Sequence, residues 1–226
     1  MIRAAAFFMS LSLVVAGCGQ SAPADAPAAA NSAAPVANVA EAREPGPLPD
    51  TVRVRLETDA GAIVVALDAR RAPVTATNFV RYAETGRFDG TSFYRAAPTK
   101  GADGRVVAGR GFIQGGIRRS YRKMLPPIAH EPTSATGLKH GEGTISMARA
   151  PPVGAMGEFF ITLGPMPAMD ARGDEPGYAA FGRVVEGMGT VRTIVAAPTV
   201  ANAGRGAMRG QMIEKPVRIL RARRID

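Results

Sequence analysis

The strongest constraint on this chain is a succession of short β-rich runs between residues 51 and 226, with only two stretches of helical spacing among them. Val52, Val54 and Leu56 alternate with Arg53, Arg55 and Glu57, the period of two that a half-buried strand requires. Thr58-Asp59-Ala60-Gly61 reads as a turn, and residues 62–67 as a second strand. Further runs follow at 91–95, 111–114, 144–149, 158–163, 179–185 and 216–222. Helical spacing occurs where Pro73 precedes Val74, Phe79, Val80 and Ala83 with Gly86 as terminator, and where Met188, Val191, Ile194 and Val195 precede Pro198. A βαβ fold needs helices between its strands. Many strands with two separated helices predict instead a mainly β fold, a barrel capped at its ends. The segment 51–226 is long enough to bury roughly 70% of its unfolded surface around one core.

The first fifty residues have another character. Arg3 is followed by a largely apolar run, 4–16, too short to span a bilayer, so residues 1–17 read as a signal peptide. The run ends in Val15-Ala16-Gly17-Cys18, which resembles the lipobox of bacterial lipoproteins. Cys18 is the single cysteine, which excludes a disulfide framework and a Cys-based zinc cage. The resemblance implies that Cys18 is lipidated and that the chain is exported and anchored in the bacterial envelope. With Gly19 rather than Asp after the cysteine, the outer membrane facing the periplasm is the expected location. Residues 18–50 then form a linker. Of the 30 residues 20–49, 17 are Ala or Pro, and the prolines interrupt any helix that the alanines would favour. Its reach lies between about 30 Å as a coil and about 100 Å extended.

Familiar catalytic signatures are missing: no GxSxG, P-loop or HExxH occurs. His130, Glu131 and His140 are metal-ligand types, but nine residues separate the two histidines from each other and nothing clusters with them, so no metal and no cofactor are expected. The net charge of +9 is carried mostly by arginines spread along the chain without interleaved aromatics, and nucleic acid is not an expected partner.

Five segments then point to a family. They are Ser92-Phe93-Tyr94-Arg95, Gly111-Phe112-Ile113-Gln114-Gly115-Gly116, Gly143-Thr144-Ile145-Ser146-Met147-Ala148-Arg149, Glu158-Phe159-Phe160-Ile161, and the run from Gly177 to Met188. In this order they resemble a cyclophilin-type peptidyl-prolyl cis–trans isomerase of the bacterial exported kind, over essentially all of 51–226. The resemblance implies a closed eight-stranded antiparallel β-barrel capped by two α-helices. It implies Arg95 as the catalytic arginine, Gln114 as the residue orienting it or the substrate carbonyl, and a substrate pocket of Phe112, Ala148, Phe160, Met169 and Tyr178. The partners implied are proline-containing polypeptides, met by a monomer. Rotation about an X–Pro bond needs no nucleophile, metal or proton transfer, which agrees with the missing signatures.

Departures from the family pattern are equally legible. Gly111 stands where the family has Phe, and Phe112 where it often has Met. Strand parity supports that register, because positions 112 and 114 share a face. Residues 96–110 exceed the family's usual connection and, with Gly101 and Gly104, read as a loop beside the pocket. Glu158 replaces a usual glutamine, Tyr178 a common histidine, and Ala168 stands near a slot often holding Trp or Phe. Two functions follow: an isomerase assisting the folding of envelope proteins, or a cyclophilin-scaffold module that binds proline-containing clients with little catalysis. Gly111 is the main sequence argument for the second.

Overall fold

The computed structural model describes residues 46–118, 120–150 and 154–226. The signal peptide 1–17, Cys18 and nearly all of the linker lie outside the described residues. The element order is β1 (Thr51–Thr58), β2 (Gly61–Asp68), α1 (Pro73–Glu84), β3 (Ser92–Lys100), β4 (Val106–Gly116), α2 (Thr133–Thr136), β5 (Thr144–Ala150), β6 (Gly154–Thr162), β7 (Ala179–Glu186), α3 (Met188–Val195), β8 (Thr199–Val200) and β9 (Met212–Arg224). Eight strands close a ring in the order β1-β2-β7-β5-β6-β4-β3-β9, with β9 returning to β1, and every pairing is antiparallel. Closure leaves these strands no free edge. The two-residue β8 pairs only with β9.

The alternation in β1 is what the barrel wall uses: Val52, Val54 and Leu56 are fully buried while their neighbours face outward. The hairpin register pairs Thr58 with Gly61. Thr58 Oγ1 fixes it, donating to Gly61 O at 2.6 Å and accepting from Ala60 N at 3.1 Å.

Helix α1 starts at Pro73, whose fixed φ suits a first helical position and which has no N–H to leave unpaired. No side chain of the helix caps it. Glu131, distant in sequence, accepts from Val74 N at 3.1 Å, Thr75 N at 2.8 Å and Thr75 Oγ1 at 2.6 Å. A carboxylate at this end satisfies free N–H groups and favours the helix dipole. The buried face of α1 carries Phe79, whose ring meets Phe88 at 4.9 Å, Phe159 at 5.2 Å and Phe181 at 5.3 Å. Phe88 and Phe93 also pack on Phe159, so one aromatic cluster ties helix to barrel. Helix α3 contributes Val191 and Ile194 to the same core. No described helix is long and apolar enough to cross a membrane.

The expected barrel is present, with two corrections. A third helix, α2, forms a single turn that is too short to give a periodic signal, and Gly137 at φ 71° ends it in the left-handed region. Residues 96–110 are not a plain loop. They continue β3 and β4 into a two-stranded ribbon that turns at 101–105, with Val106 and Val107 exposed on it.

Candidate active site

A cavity of about 300 Å³ opens on the outer face of the barrel. Arg95, Gln114, Phe112, Ala148, Phe160, Met169 and Tyr178, widely spaced in sequence, all line it. Strand β3 reaches this face through an irregularity. Phe93 pairs with Gly115, but Arg95 pairs with Gln114, so Tyr94 is an extra residue on β3. Strict alternation would send Arg95 inward after the fully buried Phe93; the bulge turns it outward beside Gln114.

The guanidinium of Arg95 is held from two sides. Nη1 donates to Gln114 Oε1 at 2.8 Å, and Nε donates to Gln211 Oε1 at 2.8 Å. Nη2 lies 3.4 Å from the carbonyl of Ala207, and the Arg95 Cζ sits 4.8 Å from the centre of the Phe112 ring. Burial draws the Arg95 pKa below its ordinary value. A guanidinium nevertheless keeps its proton near neutrality, so the cavity lip carries a fixed cation with planar donors.

The apolar wall is a row of rings. Phe112 meets Phe160 at 5.6 Å, and Tyr178 meets Phe160 edge-on at 5.4 Å. A polar chain supports this row from within. The His140 ring lies nearly parallel to Phe160 at 5.8 Å. Its Nδ1–H donates to Asp170 Oδ1 at 2.7 Å, and its Nε2 accepts from Ser146 Oγ at 2.9 Å. An ionised aspartate can only accept, which fixes this tautomer. The order Ser-His-Asp is that of a hydrolytic triad, but Ser146 is fully buried and no substrate reaches it. Burial is the main influence on His140 and lowers its pKa, so the ring is neutral.

The residues weighed as metal ligands are thus employed separately. His130 Nε2 donates to Pro176 O at 3.0 Å, Glu131 caps α1, and His140 backs Phe160. Gly111 has a structural reason: its φ is 138°, and a Cβ there would lie 2.6 Å from Ala97 O. The ribbon backbone occupies the space an aromatic would need. Ala168 is exposed and does not line the cavity, whereas its neighbour Met169 does.

Sequence reasoning assigned no role to Arg118, Arg149, Met208 or Gln211, although the first three line the cavity and the last grips Arg95. Gln211 lies 116 residues from Arg95 with no motif around it, so no local signal marks it. Glu158 was legible as a substitution, not through its partner: Tyr94 Oη donates to Glu158 Oε1 at 2.6 Å. Burial raises the pKa of both groups, that of Tyr94 further because the Glu158 carboxylate is beside it. The assembly offers an apolar slot and one immobilised cation, and the chemistry within its reach is charge stabilisation of a bound, twisted group.

A family model for cyclophilin type peptidyl-prolyl cis-trans isomerases matches residues 53–224. Peptidyl-prolyl cis-trans isomerase A of Dickeya dadantii (strain 3937) is 38% identical over 139 residues, covering 61% of this chain and 68% of the relative. A peptidyl-prolyl cis-trans isomerase of Acinetobacter baylyi is 30% identical over 168 residues, covering 74% of this chain and 82% of its own. Among solved structures, a cyclophilin type isomerase of Cryptosporidium parvum superposes with a TM-score of 0.57 at 20% identity, covering 78% of this chain and 98% of that one. The same parasite isomerase has been solved in the presence of the dipeptide Ala-Pro, at a TM-score of 0.57. Closed barrel, motif order and matched length agree: this chain belongs to the cyclophilin-type peptidyl-prolyl cis–trans isomerases.

Proposed function

We propose that the protein isomerises X–Pro bonds in proteins of the bacterial envelope, working from a lipid anchor at Cys18, and that Arg95 supplies the main catalytic interaction. The observation carrying this reading is the double grip of Gln114 and Gln211 on Arg95 beside the Phe112–Phe160 wall.

Amide resonance sets a barrier of about 18–20 kcal/mol, and the uncatalysed change takes tens of seconds. Bringing it to milliseconds requires roughly 10⁴- to 10⁵-fold acceleration, or about 5–7 kcal/mol. The proline ring enters the slot of Phe112, Phe160 and Met169, which anchors one side of the bond. As the bond twists, conjugation is lost and the prolyl nitrogen gains a lone pair. An N–H of Arg95 donates to it, a charge-assisted bond that the planar ground state cannot make as well. Because Gln114 and Gln211 hold the guanidinium in place, little reorganisation is needed at that moment. The carbonyl of the residue before proline, turning past Gln114, finds a second polar partner.

The support for envelope location is the sequence alone: the short apolar leader, the Val15-Ala16-Gly17-Cys18 ending and the Ala/Pro-rich tether. The test of the whole reading has two parts. The full chain in mild detergent should accelerate isomerisation of X–Pro peptides in a protease-coupled assay, whereas binding without acceleration favours the client-binding module. Cys18→Ser should release the protein from the membrane fraction or block its processing; unchanged attachment contradicts the anchor.

A further inference from the structure

The walls of the cavity are charged asymmetrically. Three guanidinium groups line it, those of Arg95, Arg118 and Arg149, against one carboxylate, Glu158. Arg95 is committed to its two glutamines. The other two are differently placed. Arg118 lies with Cζ 4.7 Å from the centre of the Tyr94 ring and has no hydrogen bond or ion pair among the described residues. Arg149 spends Nε on the carbonyl of Gly177 at 2.8 Å and lies 5.8 Å from the Tyr178 ring centre. Its two terminal nitrogens have no partner among the described residues. Neither group is a buried orphan, since neither is among the buried nitrogens lacking a bond. Both therefore present free planar donors to whatever occupies the cavity.

Glu158 offsets only part of this field. It is one carboxylate against three guanidinium groups, its Oε1 takes the Tyr94 hydroxyl, and Arg118 and Arg95 both act on it electrostatically. A cationic side chain entering here would meet three guanidinium groups and one occupied carboxylate. An anionic one would meet donors whose fork geometry fits a carboxylate, already stacked on tyrosine rings so that little side-chain freedom is lost on binding. The net charge of +9 adds long-range attraction of the same sign.

We propose that this isomerase selects proline segments bearing a carboxylate side chain beside the proline, with Arg118 and Arg149 as its specificity-determining residues. The proposal rests on the isomerase reading and deepens it by naming the substrate class.

The test uses the full chain in mild detergent and matched peptides that differ only in the residue flanking proline: Glu, its uncharged isostere Gln, or Lys. The quantity read is the ratio of kcat/KM for the Glu peptide to that for the Gln peptide. A ratio of about three to ten at low salt is expected, with Lys peptides the poorest. Raising the salt to about 0.5 M should bring the ratio toward one, because partly exposed pairs are screened. Arg118→Gln and Arg149→Gln should each lower the ratio, and the double variant should abolish it, whatever happens to the rate on the Gln peptide. Equal rates for Glu and Gln peptides, or a preference for Lys, overturns the proposal. Calorimetric titration with the same peptides separates the two levels. Turnover without charge preference defeats the selectivity while sparing the isomerase. Tighter binding of Glu peptides without turnover defeats the isomerase and upholds the selectivity.

Discussion

Phe159 and Phe160 are consecutive on β6, yet they belong to two differently built regions. Phe159 is fully buried inside the barrel and touches Phe79, Phe88 and Phe93. Phe160, on the outer face, meets Phe112, Tyr178 and the ring of His140. The interior is ordered by close packing of apolar groups, which needs no directional bond. A cavity open to solvent lacks neighbours on one side, so packing alone cannot fix its groups. There the chain uses hydrogen bonds instead: Gln114 and Gln211 on Arg95, and Asp170 and Ser146 on His140 behind Phe160. Core packing and the proposed catalytic groups thus lie on opposite faces of the same strands, which makes stability and catalysis separable by substitution.

The largest separation is expected within the phenylalanine pair itself. Phe159→Ala removes a ring from the aromatic cluster and should cost about 3–5 kcal/mol in denaturant unfolding, with catalysis per folded molecule little changed. Phe160→Ala opens the proline slot. Burying an apolar ring contributes about 1.5–3 kcal/mol, so kcat/KM should fall by about ten- to a hundredfold. If the two variants behave alike in both measurements, the two-region description fails.

A smaller effect sharpens the hydrogen-bonded side of the comparison. Gln211→Ala leaves Arg95 present but held by Gln114 alone. Losing one such bond is worth about 0.5–1.5 kcal/mol, so kcat should drop about two- to tenfold while KM stays close to its parent value. An unchanged kcat would mean that the grip from the segment before β9 is incidental.

The smallest effect concerns pH. His140 is buried and neutral, with its pKa pushed below the ordinary value of about 6.5. Between that lowered value and about 6.5, the unfolded chain binds a proton that the folded one refuses. Stability is therefore full above about pH 6.5 and declines on acidification, by no more than about 1.4 kcal/mol per pH unit for this one group. His140→Gln should flatten that part of the curve in chemical unfolding measured from pH 7.5 to 5. A parent and variant with identical slopes would show that the ring does not stay neutral.

Much of the barrel was legible because β1 and both longer helices carry their period in the sequence, and β2 is a continuous β-rich run. The seven pocket residues were legible only through motif resemblance, and they do share one cavity. What was not legible depends on non-local or irregular backbone. Alternation alone misplaces Arg95, because nothing in Phe93-Tyr94-Arg95 announces a bulge. The ribbon at 96–110 was hidden by Gly101 and Gly104, which read as loop residues. Glu131 and His140 looked like ligand types; their real partners, the N-terminus of α1 and the Asp170–Ser146 pair, are set by the fold.

In the proposed mechanism one immobilised guanidinium on the outer face carries catalysis while the core carries stability. The most direct test is Arg95→Ala, measured by kcat/KM on an X–Pro peptide and by the denaturant midpoint of the same preparation. A fall of about 10²- to 10³-fold, or about 3–4 kcal/mol of transition-state stabilisation, is expected, with a nearly unchanged midpoint. Arg95→Lys should recover little, because an ammonium lacks the planar fork. An active parent that loses less than about threefold on Arg95→Ala would contradict the account and move the source of catalysis to the Phe112–Phe160 slot.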